Sequence, residues 1–169
     1  MPRSLLRRSA VQFAAQKCRA AAMAERGFVT RCAMVTITGE VFSLAQFPVH
    51  LGAVARIDRL PEFTGDMAWY QAYGAQFGQH NDGGRLISMH TFAQSWTSWE
   101  MHPHGEELVL CTAGIITIWQ QTVNGNEAVV LQPGDAVINP AGVWHTADVV
   151  ALATAVFVTA GAGTEHRPR

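Results

Sequence analysis

The sequence predicts an all-β fold: a closed sandwich or barrel of short strands, with one short helix ahead of it. Three observations point there. From Arg85 to Thr159, short segments that alternate apolar and polar residues follow one another, the period of strands with one buried face. Turn signals separate them: Asn124-Gly125, Pro133-Gly134 and Pro140-Ala-Gly142. An Asn-Gly pair between alternating segments is among the strongest hairpin signals a sequence carries. The length, 169 residues with 49% hydrophobic and 15% charged content, suits one domain with its own core, and evenly spaced short strands close into a sandwich or barrel.

The elements follow in order. Residues 1–33 carry seven basic side chains against one acid, Glu25. This composition fits a targeting helix or a basic surface arm, but the plain reading is a disordered leader. Residues 34–84 form a preliminary segment. Within it Val35 to Leu44 alternates and reads as a strand interrupted at Gly39, and Phe47 to Leu60 is extended or irregular. Thr64 is placed to cap a short helix from about Gly65 to Phe77, followed by a loop at His80 to Gly84. The barrel core is expected at residues 85–160. Its strands read as Arg85–Phe92, Ser95–His102, Glu107–Thr112, Ile115–Gln121, Glu127–Leu131, Asp135–Asn139, Trp144–Val149 and Ala151–Thr159. Residues 161–169 read as a loose tail.

Charge and cysteine content narrow the function. After the leader, five basic residues face twelve acids, a net charge of −7. Such a body is ill suited to a phosphate backbone, so no nucleic-acid partner is expected. No apolar run reaches the length of a membrane span. The three cysteines, Cys18, Cys32 and Cys111, match no Cys-x-x-Cys metal site and make no disulfide scaffold, so a cytoplasmic location is expected. Gly-rich phosphate loops are missing, and the single lysine, Lys17, lies in the leader.

Chemistry concentrates in two segments. The first runs Glu100-Met-His102-Pro-His104-Gly-Glu-Glu107 and on to Gly114; the second is Gly134, then Pro140-Ala-Gly142-Val-Trp-His145. Alternation along a strand points Glu100 and His102 the same way. Carboxylates and imidazoles gathered on one inner wall are costly unless they pair or hold a cation.

These segments resemble the cupin superfamily, small double-stranded β-helix (jelly-roll) barrels. The family's first motif runs His-x-His, three or four residues, Glu, six residues, Gly; Glu107 and Gly114 fit it, and His102 takes the second ligand position. The first ligand position falls on Glu100, where the family has His. The second motif, Gly, five residues, Pro-x-Gly, two residues, His, is matched in full by Gly134, Pro140, Gly142 and His145. The Asn that often closes it would fall at Val149. The form Trp-Glu-x-His-Pro with following acids, and the Gly-Thr-Glu-His tail, resemble a subgroup of small single-domain cupins.

The resemblance implies a jelly-roll barrel with a metal site at Glu100, His102, Glu107 and His145. Two histidines and two carboxylates favour a divalent ion such as Fe, Mn or Zn. If Glu100 is not a ligand, it is the candidate catalytic acid–base group, its pKa raised by Glu107. His104 is a rival ligand, since it forms His-x-His with His102, but Pro103 bends the chain and a rim position is expected. Cys111 is expected to be a buried, inert thiol. Two functions follow. One is a divalent-metal-dependent enzyme acting on a small polar metabolite; the other is a non-catalytic small-ligand-binding or sensory barrel. Small barrels of this family usually pair, so a homodimer is the expected assembly.

Overall fold

The computed structural model of the protein describes residues 39–78 and 83–169. The leader, residues 1–33, the first part of the Val35–Leu44 segment, and His80 to Asp82 lie outside the described residues. By contacts the chain falls into two units, Met1–Gly39 and Glu40–Arg169; all that follows concerns the second.

This unit is a two-sheet jelly roll: the turn spacing predicts a sandwich or barrel, and the resemblance implies the jelly roll. Its strands are β1 (Val49–Leu51), β2 (Ile57–Arg59), β3 (Arg85–Phe92), β4 (Ser98–Met101), β5 (Glu107–Ala113), β6 (Ile116–Thr122), β7 (Gly125–Leu131), β8 (Ala136–Asn139), β9 (His145–Val149), β10 (Ala153–Thr159) and β11 (Glu165–Pro168). One sheet has the order β2-β1-β3-β10-β5-β8 and the other β11-β4-β9-β6-β7, with antiparallel neighbours throughout. Alternation along β5, β6, β9 and β10 sends Val109, Cys111, Ile116, Ile118, Ala147 and Ala155 inward, where they are fully buried and form the core. Each buried Val or Ile side chain contributes about 1.5–3 kcal/mol.

Two glycines are required by geometry. Gly114, at the end of the first motif, has φ +73°, and a Cβ there would collide with the Leu152 carbonyl oxygen and lie 2.8 Å from Ala153 Cα. Gly142 has φ +75° in the Pro-x-Gly turn, and its N–H donates to the His102 carbonyl at 2.9 Å. This bond ties the turn before His145 to the strand end that carries His102.

The helix α1 spans Met67–Phe77. Its cap is Asp66, whose carboxylate accepts from the Trp69 N–H at 2.9 Å, and not Thr64. Gly65 at φ +75° cannot belong to the helix, so the start moves past it. No residue of α1 is buried. Aromatic contacts attach it: Tyr73 and Phe77 lie against His50 of β1, with the Phe77 ring stacked at 4.0 Å. Among the described residues no helix is long and apolar enough to cross a membrane.

The structure departs from the sequence reading in three further places. Residues 39–44 of the Val35–Leu44 segment are not a strand. Gly39 interrupts the pattern, and the Gln46 and Phe47 N–H groups turn back to the Ser43 carbonyl. The barrel is not confined to residues 85–160, because β1 and β2 extend one sheet and β11 the other. Residues 161–169 are therefore not a loose tail. Glu165–Pro168 pairs with Met101–Ser98 of β4. Arg167 stacks on Trp144 at 4.3 Å and on Trp99 at 5.6 Å. Arg169 pairs with Asp148 at 2.6 Å.

Candidate metal centre

Three strands, β4, β5 and β9, bring the motif residues together at one end of the barrel. In one sheet Glu107 lies in register between Thr159 of β10 and Asn139 of β8. In the other, Glu100 lies in register between His166 of β11 and His145 of β9. His102 follows β4 directly. The side chains of His102, Glu107 and His145 are 2%, 3% and 1% exposed, and that of Glu100 is 25% exposed.

The distances define a compact cluster. His102 Nε2 lies 3.3 Å from Glu107 Oε1 and 3.6 Å from Glu100 Oε1, and His145 Nε2 lies 3.2 Å from Glu107 Oε2. One donor atom from each of Glu100, His102 and His145 falls within 4.8 Å of the others. Neither Nε2 is aligned for a hydrogen bond, although both are buried.

Hydrogen bonds on the far side of each ring decide what these nitrogens are. His145 Nδ1 lies 3.1 Å from the Val143 carbonyl. A carbonyl only accepts, so Nδ1 carries the hydrogen. His102 Nδ1 lies 2.9 Å from Thr164 Oγ1, and Thr164 Oγ1 donates to the Gly161 carbonyl at 3.0 Å. The hydroxyl has one hydrogen and spends it on Gly161, so His102 Nδ1 must also donate. Both neutral rings therefore present a bare Nε2 lone pair to the Glu107 carboxylate. Lone pairs facing a carboxylate at contact distance repel unless a proton or cation lies between them. Donors at about 2.0–2.2 Å from a common ion are themselves roughly 3.0–3.5 Å apart; the Glu107 contacts, 3.3 and 3.2 Å, match this spacing through a different oxygen for each ring, and Glu100 stands wider, 3.6 Å from His102 Nε2.

Without a metal, a proton on the rings takes the place of the cation, and the charges of the cluster describe that state. Burial alone would raise the Glu107 carboxyl, but the adjoining imidazoles of His102 and His145 outweigh it and hold the group well below the usual carboxylate range. Burial, then the charge of Glu107, pushes the Glu100 carboxyl up, against the pull of His102 and His145. Burial would lower His145, but its contact with Glu107 reverses the sign and raises it above 6.5.

The four residues read from the motifs thus stand together. His104 does not join them: it is exposed and packs near Gly163 at the rim. Cys111 is buried in the core with its thiol against the Ala113 and Gly114 carbonyls, and burial raises its pKa. Trp119 donates to Asp148 at 2.7 Å, and Trp144 carries Arg167, so both serve packing. Trp96 reaches the cluster, its ring 6.5 Å from that of His145, whereas Gln94 is exposed because the strand starts only at Ser98.

Four residues were not read from the motifs. Thr159 donates to Glu107 Oε1 at 2.6 Å, and Asn139 donates to Glu107 Oε2 at 3.1 Å while accepting from Gln120 at 2.7 Å. Both are polar residues ending apolar strands, which is the signal that could have found them. Thr164 and His166, the latter 3.9 Å from Glu100 Oε1, belong to the Gly-Thr-Glu-His tail, which the subgroup resemblance marked without giving either residue a role; the pairing of β11 with β4 brings the tail to the cluster.

Comparison with known proteins matches residues 89–161 to the family model of the cupin domain. No curated protein matches the chain at a significant level. Among solved structures the chain is similar to Peruvianin-I, a cysteine peptidase from Thevetia peruviana latex, at 21% identity over 50% of this chain and 56% of that one, with a TM-score of 0.43. It is similar to a cupin superfamily protein from Desulfitobacterium hafniense DCB-2 at 23% identity over 44% and 65% of the two chains, with a TM-score of 0.39. A cupin-2 domain containing protein from Shewanella frigidimarina NCIMB 400 aligns at 17% identity over 59% and 92%, also at 0.39. The chain spans 56% and 65% of the lengths of the first two. The matched segment contains all four of these side chains and both motifs, and over residues 89–161 this chain matches the cupin domain.

Proposed function

We propose that this chain binds a divalent metal ion through Glu100, His102, Glu107 and His145 and acts as a metal-dependent enzyme on a small polar metabolite. The observation that carries the reading is the pair of buried imidazoles, each committed through Nδ1, turning bare Nε2 lone pairs onto one carboxylate. Two imidazole nitrogens and two carboxylates suit Fe, Mn or Zn. Bound there, the ion supplies a Lewis-acid centre for an oxygen-bearing substrate.

The chain's own residues divide the remaining work. Thr159 and Asn139 orient Glu107 by donating to both its oxygens. Trp96 packs beside His145, and Phe92 and Phe157 pack against Trp96, an apolar wall that keeps water from the inner side of the cluster. Glu100 is the most open of the four, and where it does not ligate the ion its raised pKa suits a group that takes or gives a proton at Oε1. The Trp96 ring beside His145 is a surface a small ligand could stack on, which supports a second reading, a barrel that holds a small ligand without turnover.

Elemental analysis of the purified protein separates these readings. Near-stoichiometric Fe, Mn or Zn is expected, lost in His102→Ala. Metal retained in Glu100→Gln, with turnover abolished, makes Glu100 the acid–base group. No metal after purification and divalent-ion supplementation overturns the metal-dependent reading and leaves the binding barrel.

A further inference from the structure

We infer that Thr164, on the C-terminal tail, is a positioning residue: it locks His102 in the Nδ1–H tautomer and so keeps its Nε2 lone pair turned toward Glu107 and Glu100. The consequence for metal binding rests on the reading of the cluster as a metal centre; the tautomer assignment does not.

The argument is a count of hydrogens. His102 is buried, and its Nδ1 has one partner among the described residues, Thr164 Oγ1 at 2.9 Å. The hydroxyl is not free to act as donor to the ring. Its hydrogen goes to the Gly161 carbonyl at 3.0 Å, in a turn that the Thr164 N–H also closes onto the same oxygen at 3.4 Å. An oxygen whose hydrogen is spent offers only lone pairs, so it selects the ring tautomer with hydrogen on Nδ1. His145 reaches the same tautomer through a backbone carbonyl of its own turn. His102 has no such local carbonyl and borrows a side chain 62 residues away in sequence.

The tail is built to hold that oxygen in place. Directly after Thr164, β11 pairs with the strand that carries Glu100, and Arg167 and Arg169 fasten it to Trp144 and Asp148 on the strand segment around His145. The tail therefore contacts both strands that supply the other sheet's half of the cluster. Without the Thr164 acceptor, a buried Nδ1–H has no partner, and the ring relieves this by moving its hydrogen to Nε2, on the side of the Glu107 carboxylate 3.3 Å away. A ring in that tautomer has no lone pair to offer the cluster.

The test uses full-length protein labelled with 15N at histidine, in excess chelator and at alkaline pH so that the rings are neutral. Long-range 1H–15N spectra report the tautomer of each ring, and the His102 signals are assigned by their loss in His102→Gln. Wild type and Thr164→Ser are expected to show His102 as Nδ1–H, and Thr164→Val to lose that state. Zn²⁺ affinity, measured by competition with a chelator, is expected to fall about 10–100-fold in Thr164→Val and to return in Thr164→Ser. Wild-type His102 found as Nε2–H overturns the inference, whether or not the Val variant folds. So does a Val variant that keeps Nδ1–H and full affinity, or a Ser variant as weak as the Val variant. Wild type showing Nδ1–H but binding no Zn²⁺ supports the Thr164 assignment and overturns the metal reading alone.

Discussion

Replacing Glu107 by Gln separates the carboxylate's structural role from its role toward a metal. Glu107 is buried and accepts from Thr159 at 2.6 Å and from Asn139 at 3.1 Å, one bond to each oxygen. The amide of Gln has a single acceptor oxygen. That oxygen serves one of the two donors, and the amide NH₂ is then set against the other. One buried donor left without an acceptor costs about 1–3 kcal/mol. The bond that survives falls from charge-assisted to neutral, a further loss of about 1 kcal/mol. Glu107→Gln is therefore expected to destabilise the metal-free protein by about 2–4 kcal/mol. For a body of this size that lowers Tm by roughly 6–15 °C. Calorimetry or thermal unfolding in excess chelator reads it, beside Asp135→Asn as a surface control. A Glu107→Gln protein that melts at or above wild type refutes the reasoning, for it would mean that desolvation of the buried carboxylate outweighs its hydrogen bonds.

Two further predictions follow from the same structure. His145 has a folded pKa raised above 6.5 by Glu107, so in the metal-free protein its pairing stabilises the fold fully below about pH 6.5 and is lost as pH rises through the folded value. Metal needs the deprotonated ring, so the Tm difference between metal-loaded and chelated protein should widen from roughly pH 6 to 8.5; a difference that is constant or shrinks with pH contradicts it. Gly114→Ala combines a positive φ with a Cβ placed against the Leu152 carbonyl, and is expected to cost about 2–4 kcal/mol or to leave the protein insoluble, whereas Gly125→Ala, with open space around its Cβ despite φ +114°, is expected to cost less in the same urea titration.

The parts of this fold that were legible in the sequence are those written locally. Alternation marks β3 to its ends at Arg85 and Phe92, and turn chemistry marks the hairpin near Asn124. Even there the register shifts by one: Val123 and Asn124 make the turn, and Gly125 already pairs with Thr122. The four candidate ligands were legible because the motif spacing records which residues alternate inward on neighbouring strands. What the spacing does not record is cross-strand register. Thr159 and Asn139 meet Glu107, and His166 meets Glu100, only because β10, β8 and β11 pair where they do. Strand β11 itself, Glu-His-Arg-Pro, has no apolar alternation, since an edge strand held by Arg167 and Arg169 does not need one. The strands β1 and β2 are three residues each, too short for any period to show.

X-ray absorption on the metal-loaded protein, with Zn²⁺ as the probe, tests the central claim most directly. The convergence of His102 Nε2, His145 Nε2 and the two carboxylates predicts a shell of nitrogen and oxygen scatterers at about 2.0–2.2 Å, with the outer-shell pattern of two imidazoles, reduced to one in His102→Ala. A sulfur shell near about 2.3 Å, or a spectrum without imidazole scattering that is unchanged in His102→Ala, would place the ion elsewhere and contradict the account.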